Sequence, residues 1–221
     1  MDEFNFLKKE AEGYNHECRM YAQCMREIKQ RLFFIRERLA LGSSDERKIF
    51  DTEILCLQFR AIFELIYLSN LAAHQKLYTK GYDKLKREWR TSSIARFIET
   101  HNPDFYPTPV NVKYEIVNEE LKIDLTLVES GFLTKPELLE FYEKCSAYIH
   151  PRNPFCEESD FKIWLIFPEL FHKICRLLEA HVVNMFKSKK GLFVYINLND
   201  KITKYEDVRM AYLAVKSTVI H

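Results

Sequence analysis

From Ile49 to Tyr78 the chain reads IFDTEILCLQFRAIFELIYLSNLAAHQKLY, with neither glycine nor proline. Apolar residues fall on nearly every side of the helix this stretch predicts. Such a helix is stable only when other elements cover several of its faces. The remaining segments must therefore supply that cover. The few charges obey the same constraint. At about 100° per residue, Glu53, Arg60 and Glu64 stack in one narrow stripe, with Arg60 and Glu64 a single turn apart. Desolvated charges need partners. The stripe is thus either an internal ion network or a polar, ligand-binding spot between helices.

Bulk composition removes several classes of function. Of 221 residues, 47% are hydrophobic and 14% aromatic, which is ample for a core. The net charge of +1 argues against a general nucleic-acid coat protein but leaves room for a local basic patch. Only five glycines occur, and neither GxGxxG nor GxxxxGK[ST] is present, so a phosphate-cradling glycine loop is not expected. The opening MDEFNFLKKEAEGYNHE is polar, and no uncharged apolar run approaches the length of a membrane span. A cytoplasmic protein without a membrane segment is predicted.

The cysteines Cys18, Cys24, Cys56, Cys145, Cys156 and Cys175 are scattered, without a CxxC pair, and read as reduced thiols serving mainly as small core residues. His16, Cys18 and Cys24 do not share a helical face, and no HExxH occurs, so neither metal nor cofactor is predicted. A GxSxG nucleophile signature is likewise missing.

In chain order, residues 4–41 predict a first helix, with Tyr14, Cys18, Tyr21, Met25, Ile28, Leu32 and Ile35 on one stripe. Arg26, Lys29, Arg31, Arg36 and Arg38 crowd its second half, more as a solvated face than as an RNA-binding surface. GSSDE at 42–46 stops this helix and caps the next, which predicts an antiparallel hairpin. A short polar helix follows at 83–90, then a helix over TSSIARFIETHN. The proline-rich NPDFYPTPV leaves helical geometry, with Phe105 and Tyr106 placed to pin it onto the bundle. VNVKYEIV and LKIDLTLV alternate around NEE, a β-hairpin over 110–128. Thr134, Pro136 and Glu137 have the spacing of a capping box for a helix over 136–149. A long helix is predicted over 160–187, with Pro168 imposing a kink or a late start. A second hairpin lies within 191–216. The fold class is mainly α (α+β): a single domain over residues 1–221, in which a helical bundle surrounds the central helix and carries two small β-hairpins.

His150-Pro151-Arg152-Asn153-Pro154-Phe155 is the most pointed motif. Two prolines stiffen a corner bearing an imidazole, a guanidinium and an amide. Arg152 suits a phosphate or carboxylate, and His150 suits proton transfer near neutral pH. The plainer alternative has Arg152 and Asn153 satisfy carbonyls at the helix end, or pair with Glu53 or Glu64. His74, near the end of the central helix, reads as a surface or satisfied histidine.

With its helices so placed, the chain resembles HEPN-type helical-bundle proteins, a group that includes many bacterial toxin and phage-defence components. The resemblance is carried by ILCLQFRAIFELIYLSNLAAH, by Asn102 to Pro107 and by His150 to Phe155, within about 49–185. It implies metal-independent RNA cleavage at a dimer interface, with His150, Arg152 and Asn153 as catalytic residues and Glu53, Arg60 and Glu64 supporting the substrate or ligand. In that family a histidine follows the arginine by four to six positions. Here His150 precedes Arg152, and the literal match is Arg176-Leu-Leu-Glu-Ala-His181. The alternatives are a non-catalytic interaction or dimerisation module and a sensor of a small anionic ligand. The partners expected are RNA or a nucleotide, a second copy of the chain, or the product of a neighbouring gene.

Overall fold

A computed structural model describes residues 16–73, 91–117, 120–149, 162–184, 190–198 and 208–214. Helices α1 (His16–Leu41) and α2 (Lys48–Ala73) form the predicted antiparallel hairpin. Gly42 takes a φ of +66° and donates its N–H to the Leu39 carbonyl at 3.2 Å. Only glycine adopts that left-handed turn cheaply, and it ends α1. Across the turn, the buried Asp51 accepts from the Ser43 hydroxyl at 2.6 Å and pairs with Arg38. Burial works against the Asp51 charge, yet the Ser43 hydroxyl and the Arg38 guanidinium outweigh it and hold the carboxyl below its usual range. Two turns further, Arg31 donates to Gln58 at 2.8 Å. These contacts mark the polar seam between α1 and α2.

Inside that seam the core is apolar. From α1 come Tyr21, Met25, Ile28, Leu32 and Ile35, all buried at the predicted spacing. From α2 come Leu55, Phe59, Ile62, Phe63 and Ile66, each fully buried. Helix α3 (Thr91–His101) leads into the proline-rich loop. There Phe105 is fully buried beside Tyr67 with ring centroids 5.3 Å apart, and the Tyr106 hydroxyl donates to the Leu133 carbonyl at 2.8 Å. The loop is pinned as its aromatics predict. Helix α4 (Lys135–Ile149) opens on the expected capping box. The Thr134 N–H and hydroxyl donate to Glu137 Oε2 at 2.9 and 2.7 Å, and Lys173 holds Glu137 Oε1 at 2.7 Å. Burial opposes the Glu137 charge, but these donors together draw its pKa down to about 2.

The helix predicted over 160–187 ends early. Helix α5 covers Lys162–Leu178, continues through Pro168 without a late start, and stacks Phe167 on Phe59 at 5.3 Å. After Glu179 the chain turns into a strand, Ala180–Asn184. Leu178 and Val182 keep a helical spacing, but the β-branched Val182 and Val183 also suit a strand, and pairing with neighbouring strands decides between the two.

Both predicted hairpins are present. The first is β1 (Thr108–Val117) with β2 (Glu120–Leu127), in register from Val110↔Leu127 to Val117↔Glu120. The second is β4 (Lys190–Ile196) with β5 (Val208–Ala214). The strand after α5, β3 (Ala180–Asn184), joins them. It pairs with β1 at Thr108↔Val182 and Pro109↔His181, and along its length with β4. The result is one five-stranded antiparallel sheet of order β2-β1-β3-β4-β5. Val183, Leu192, Val194, Ile196 and Met210 share one face of it and merge with the helical core. Val110, Ala180 and Phe193 form a second, smaller cluster. The predicted helix at 83–90 and His74 lie outside the described residues.

The Asp51 clamp gives a stability prediction. Asp51→Ala leaves Arg38 and Ser43 without their acceptor beneath the first turn of α2. Unfolding in urea is expected to show a loss of about 3 kcal/mol, and a loss within error of zero would show that the clamp is incidental.

Candidate functional site

The catalytic trio drawn from the sequence, His150, Arg152 and Asn153, lies outside the described residues, just beyond the end of α4 at Ile149. The literal arginine–histidine match is described, and the two side chains have separate roles. Arg176 donates to Asn111 Oδ1 at 2.7 Å at the surface. His181 is completely buried at the start of β3. Its Nδ1 lies 3.0 Å from the Leu178 carbonyl, which can only accept, so Nδ1 carries the proton and Nε2 accepts from the Tyr21 hydroxyl at 2.6 Å. Burial pushes the His181 pKa down to about 4 and the Tyr21 hydroxyl well above its usual value. Both rings stay neutral near pH 7. This is a joint between α1 and the sheet, shielded from any substrate.

The stripe on α2 resolves into a surface triad. Arg60 donates to Glu64 Oε1 at 3.4 Å and to the Tyr142 hydroxyl at 3.2 Å, and that hydroxyl donates to Glu64 Oε1 at 3.2 Å. The Arg60 guanidinium also lies 5.0 Å from the centre of the Tyr142 ring. Arg60 and Glu64 keep about 30% of their side chains exposed, at 28% and 32%. Arg60 and Glu64 thus form an ion pair at the rim of the α2–α4 interface rather than inside it. Glu53 is half-buried two turns away, and the bonds of the triad do not extend to it. Tyr142 was not singled out in the sequence, because nothing in α4 alone shows which tyrosine meets α2. One turn along the same interface Cys56 and Cys145 are both buried, and the neighbouring Cys145 thiol together with burial keeps Cys56 protonated. Among the described residues no group of three or more His, Cys, Asp or Glu side chains is placed to hold a metal.

The larger feature is apolar. α2 is long and apolar enough to cross a membrane by length and composition, and in the fold 61% of its most apolar window is buried. Its uncovered side carries Phe50 (63% exposed), Ile54, Leu57 (51% exposed) and Leu68. At about 100° per residue these four, with the half-buried Ala61 and Ala72, lie within about 40° of one line. Cover is present on the other sides: α1 at Asp51 and Gln58, α4 at Arg60 and Glu64, the core at Phe59 and Phe63. The exposed line continues onto its neighbours. On α1, Phe34 and Leu41 are exposed, turned about 60–80° from the seam residue Arg31 and away from buried Ile28 and Ile35. On α4, Leu139 is exposed just outside Tyr142. The exposed apolar side chains thus form a line along α2, with isolated ones on α1 and α4 beside it, and the triad crosses that line near its middle. The sequence held a signal for it, the recurrence of Phe50, Ile54, Leu57, Ala61, Leu68 and Ala72 at helical spacing. On an all-round apolar helix that recurrence does not say which face stays uncovered.

Comparison of the chain with protein-family models, with curated proteins and with solved structures returned no match.

The His181 joint makes stability depend on pH in a fixed direction. Its folded pKa of about 4 lies below the ordinary 6.5, so between those values the unfolded chain binds the extra proton. The contribution is complete above pH 6.5 and is lost as pH falls through 4, for a total on the order of 3 kcal/mol. His181→Gln removes this titration. The expected result is a shallower fall in melting temperature between pH 7 and 4 than in wild type, and equal slopes would rule the joint out as the source.

Proposed function

We propose that this chain is a non-catalytic, HEPN-like interaction module that self-associates through the outer face of α2. The observation carrying this reading is the line of exposed Phe50, Ile54, Leu57 and Leu68 on a helix covered on its other sides. From Phe50 to Ala72 the line runs roughly 33 Å at 1.5 Å per residue, and a helix face is about 10 Å wide. With Phe34, Leu41 and Leu139 beside it, the patch reaches the scale of several hundred Å² that marks interaction sites on soluble proteins.

A second copy is the occupant the surface favours. The charges within the patch, Arg60 and Glu64, cancel within one chain, so two identical faces meet without net repulsion. The patch is also self-complementary in shape, with bulky Phe50 and Ile54 toward one end and the small Ala72 at the other. Closed two-fold pairs are the commonest way for one surface to satisfy itself. Within the HEPN-like reading, the Arg176–His181 pair has no catalytic part, since the histidine is enclosed and the arginine is engaged elsewhere.

Light scattering on a sizing column, across a range of protein concentrations, tests the proposal. Wild type is expected to elute as a dimer. Leu57→Asp places a charge in the middle of the patch without touching the core and is expected to elute as a monomer with an unchanged circular-dichroism spectrum. A wild type that stays monomeric at the highest concentration attainable would sink the proposal.

A further inference from the structure

Resting on the self-association reading above, we infer that the two copies meet as an antiparallel α2–α2 pair. The two-fold axis passes beside Ala61, and each Arg60 bridges its own Glu64 and Glu64 of the partner subunit.

The argument starts from the position of the triad in the apolar line. Ala61 lies midway between Phe50 and Ala72, and it is the small residue at which two helices can approach most closely. If the axis passes there, each residue faces the partner position reflected through 61. Phe50 then lies over Ala72 of the partner subunit, and Ile54 over Leu68 of the partner subunit. Large side chains meet small ones at the ends, and two apolar side chains meet between, as ridge-into-groove packing requires.

The charges then distinguish antiparallel from parallel pairing. Arg60 and Glu64 stand on the same side of the line, roughly 50–90° from its centre toward α4. A two-fold axis perpendicular to antiparallel helices keeps that side in register between the copies. Arg60 is one residue from the axis and Glu64 three, so along the helices each Arg60 is offset by only about 3 Å from Glu64 of the partner subunit. The two arginines and two glutamates form a neutral, alternating cluster, with both Tyr142 hydroxyls at its edge. Parallel pairing, about an axis running along the helices, would instead place the two Arg60–Glu64 pairs on opposite edges of the interface, where neither gains a partner across it. The partial exposure of the Arg60–Glu64 pair and its long 3.4 Å bond leave donors and acceptor lone pairs available for the second partner.

Two sets of variants test this. Arg60→Glu and Glu64→Arg, each alone, place like charges at the axis and are expected to weaken dimerisation by about tenfold or more. The double exchange R60E/E64R restores both the pair within each chain and the pair across the axis, and is expected to return the dissociation constant to near wild type. Thermal melting of each variant separates loss of dimer from loss of fold. For orientation, chains carrying Phe50→Cys and Ala72→Cys are mixed and treated with a short bismaleimide, with wild type as the control for native cysteines. A cross-linked dimer is expected in the mixture and not from Phe50→Cys alone. Cross-linking of Phe50→Cys with itself means parallel pairing and overturns the inference. So does a dimer indifferent to both single charge reversals yet broken by Leu57→Asp, which leaves self-association standing. A monomeric wild type removes both readings together.

Discussion

An apolar helix that must be covered on nearly every side organises this molecule. α2 cannot remain folded in water by itself, because its exposed apolar surface would cost far more than its backbone hydrogen bonds contribute. Each neighbour covers one side. α1 lies along it through a seam in which Asp51 and Gln58 meet Arg38 and Arg31. α5 stacks Phe167 on Phe59, and α4 closes over it with Tyr142 and Cys145. The charges on α2 lie at the borders between these contacts. There they pair and remain partly hydrated, which avoids the cost of burying them.

The sheet joins the bundle through a short strand rather than through either hairpin. β3 follows directly from α5, and its first turn carries His181 inward to Tyr21 of α1. The Leu178 carbonyl fixes the histidine tautomer, so Nε2 is left to accept the tyrosine proton. Both groups are buried, neutral and satisfied at neutral pH. An arginine and histidine five positions apart in sequence thus end on opposite sides of a helix terminus, one in solvent and one in the core.

Apolar surface is left over on one side of the bundle. Three sides of α2 are covered within the chain, and the fourth stays exposed, with Phe34 and Leu41 of α1 and Leu139 of α4 beside it. A neutral Arg60–Glu64–Tyr142 cluster interrupts that side near its centre. An isolated apolar patch associates with little discrimination. A polar cluster within one sets register, since a misaligned partner leaves charges desolvated and unpaired.

The sequence by itself determined the α+β class, the α1–α2 hairpin with its Gly42 stop, the pinned 102–107 loop, the Thr134–Glu137 capping box and both β-hairpins. These are local features, set by periodicity, turn chemistry and capping groups within a few residues of one another. It also placed Arg60 and Glu64 as a pair, because one helical turn brings them together regardless of the fold. Tertiary structure decided what depends on residues distant in the chain. Val182 and Val183 became strand because β1 and β4 offered hydrogen-bonding partners, a choice that helical spacing could not exclude. Tyr142 joined the triad from 78 positions beyond Glu64. The exposed side of α2 was fixed only by where α1, α4 and the core came to rest, since a helix apolar on every face does not encode which one is left exposed.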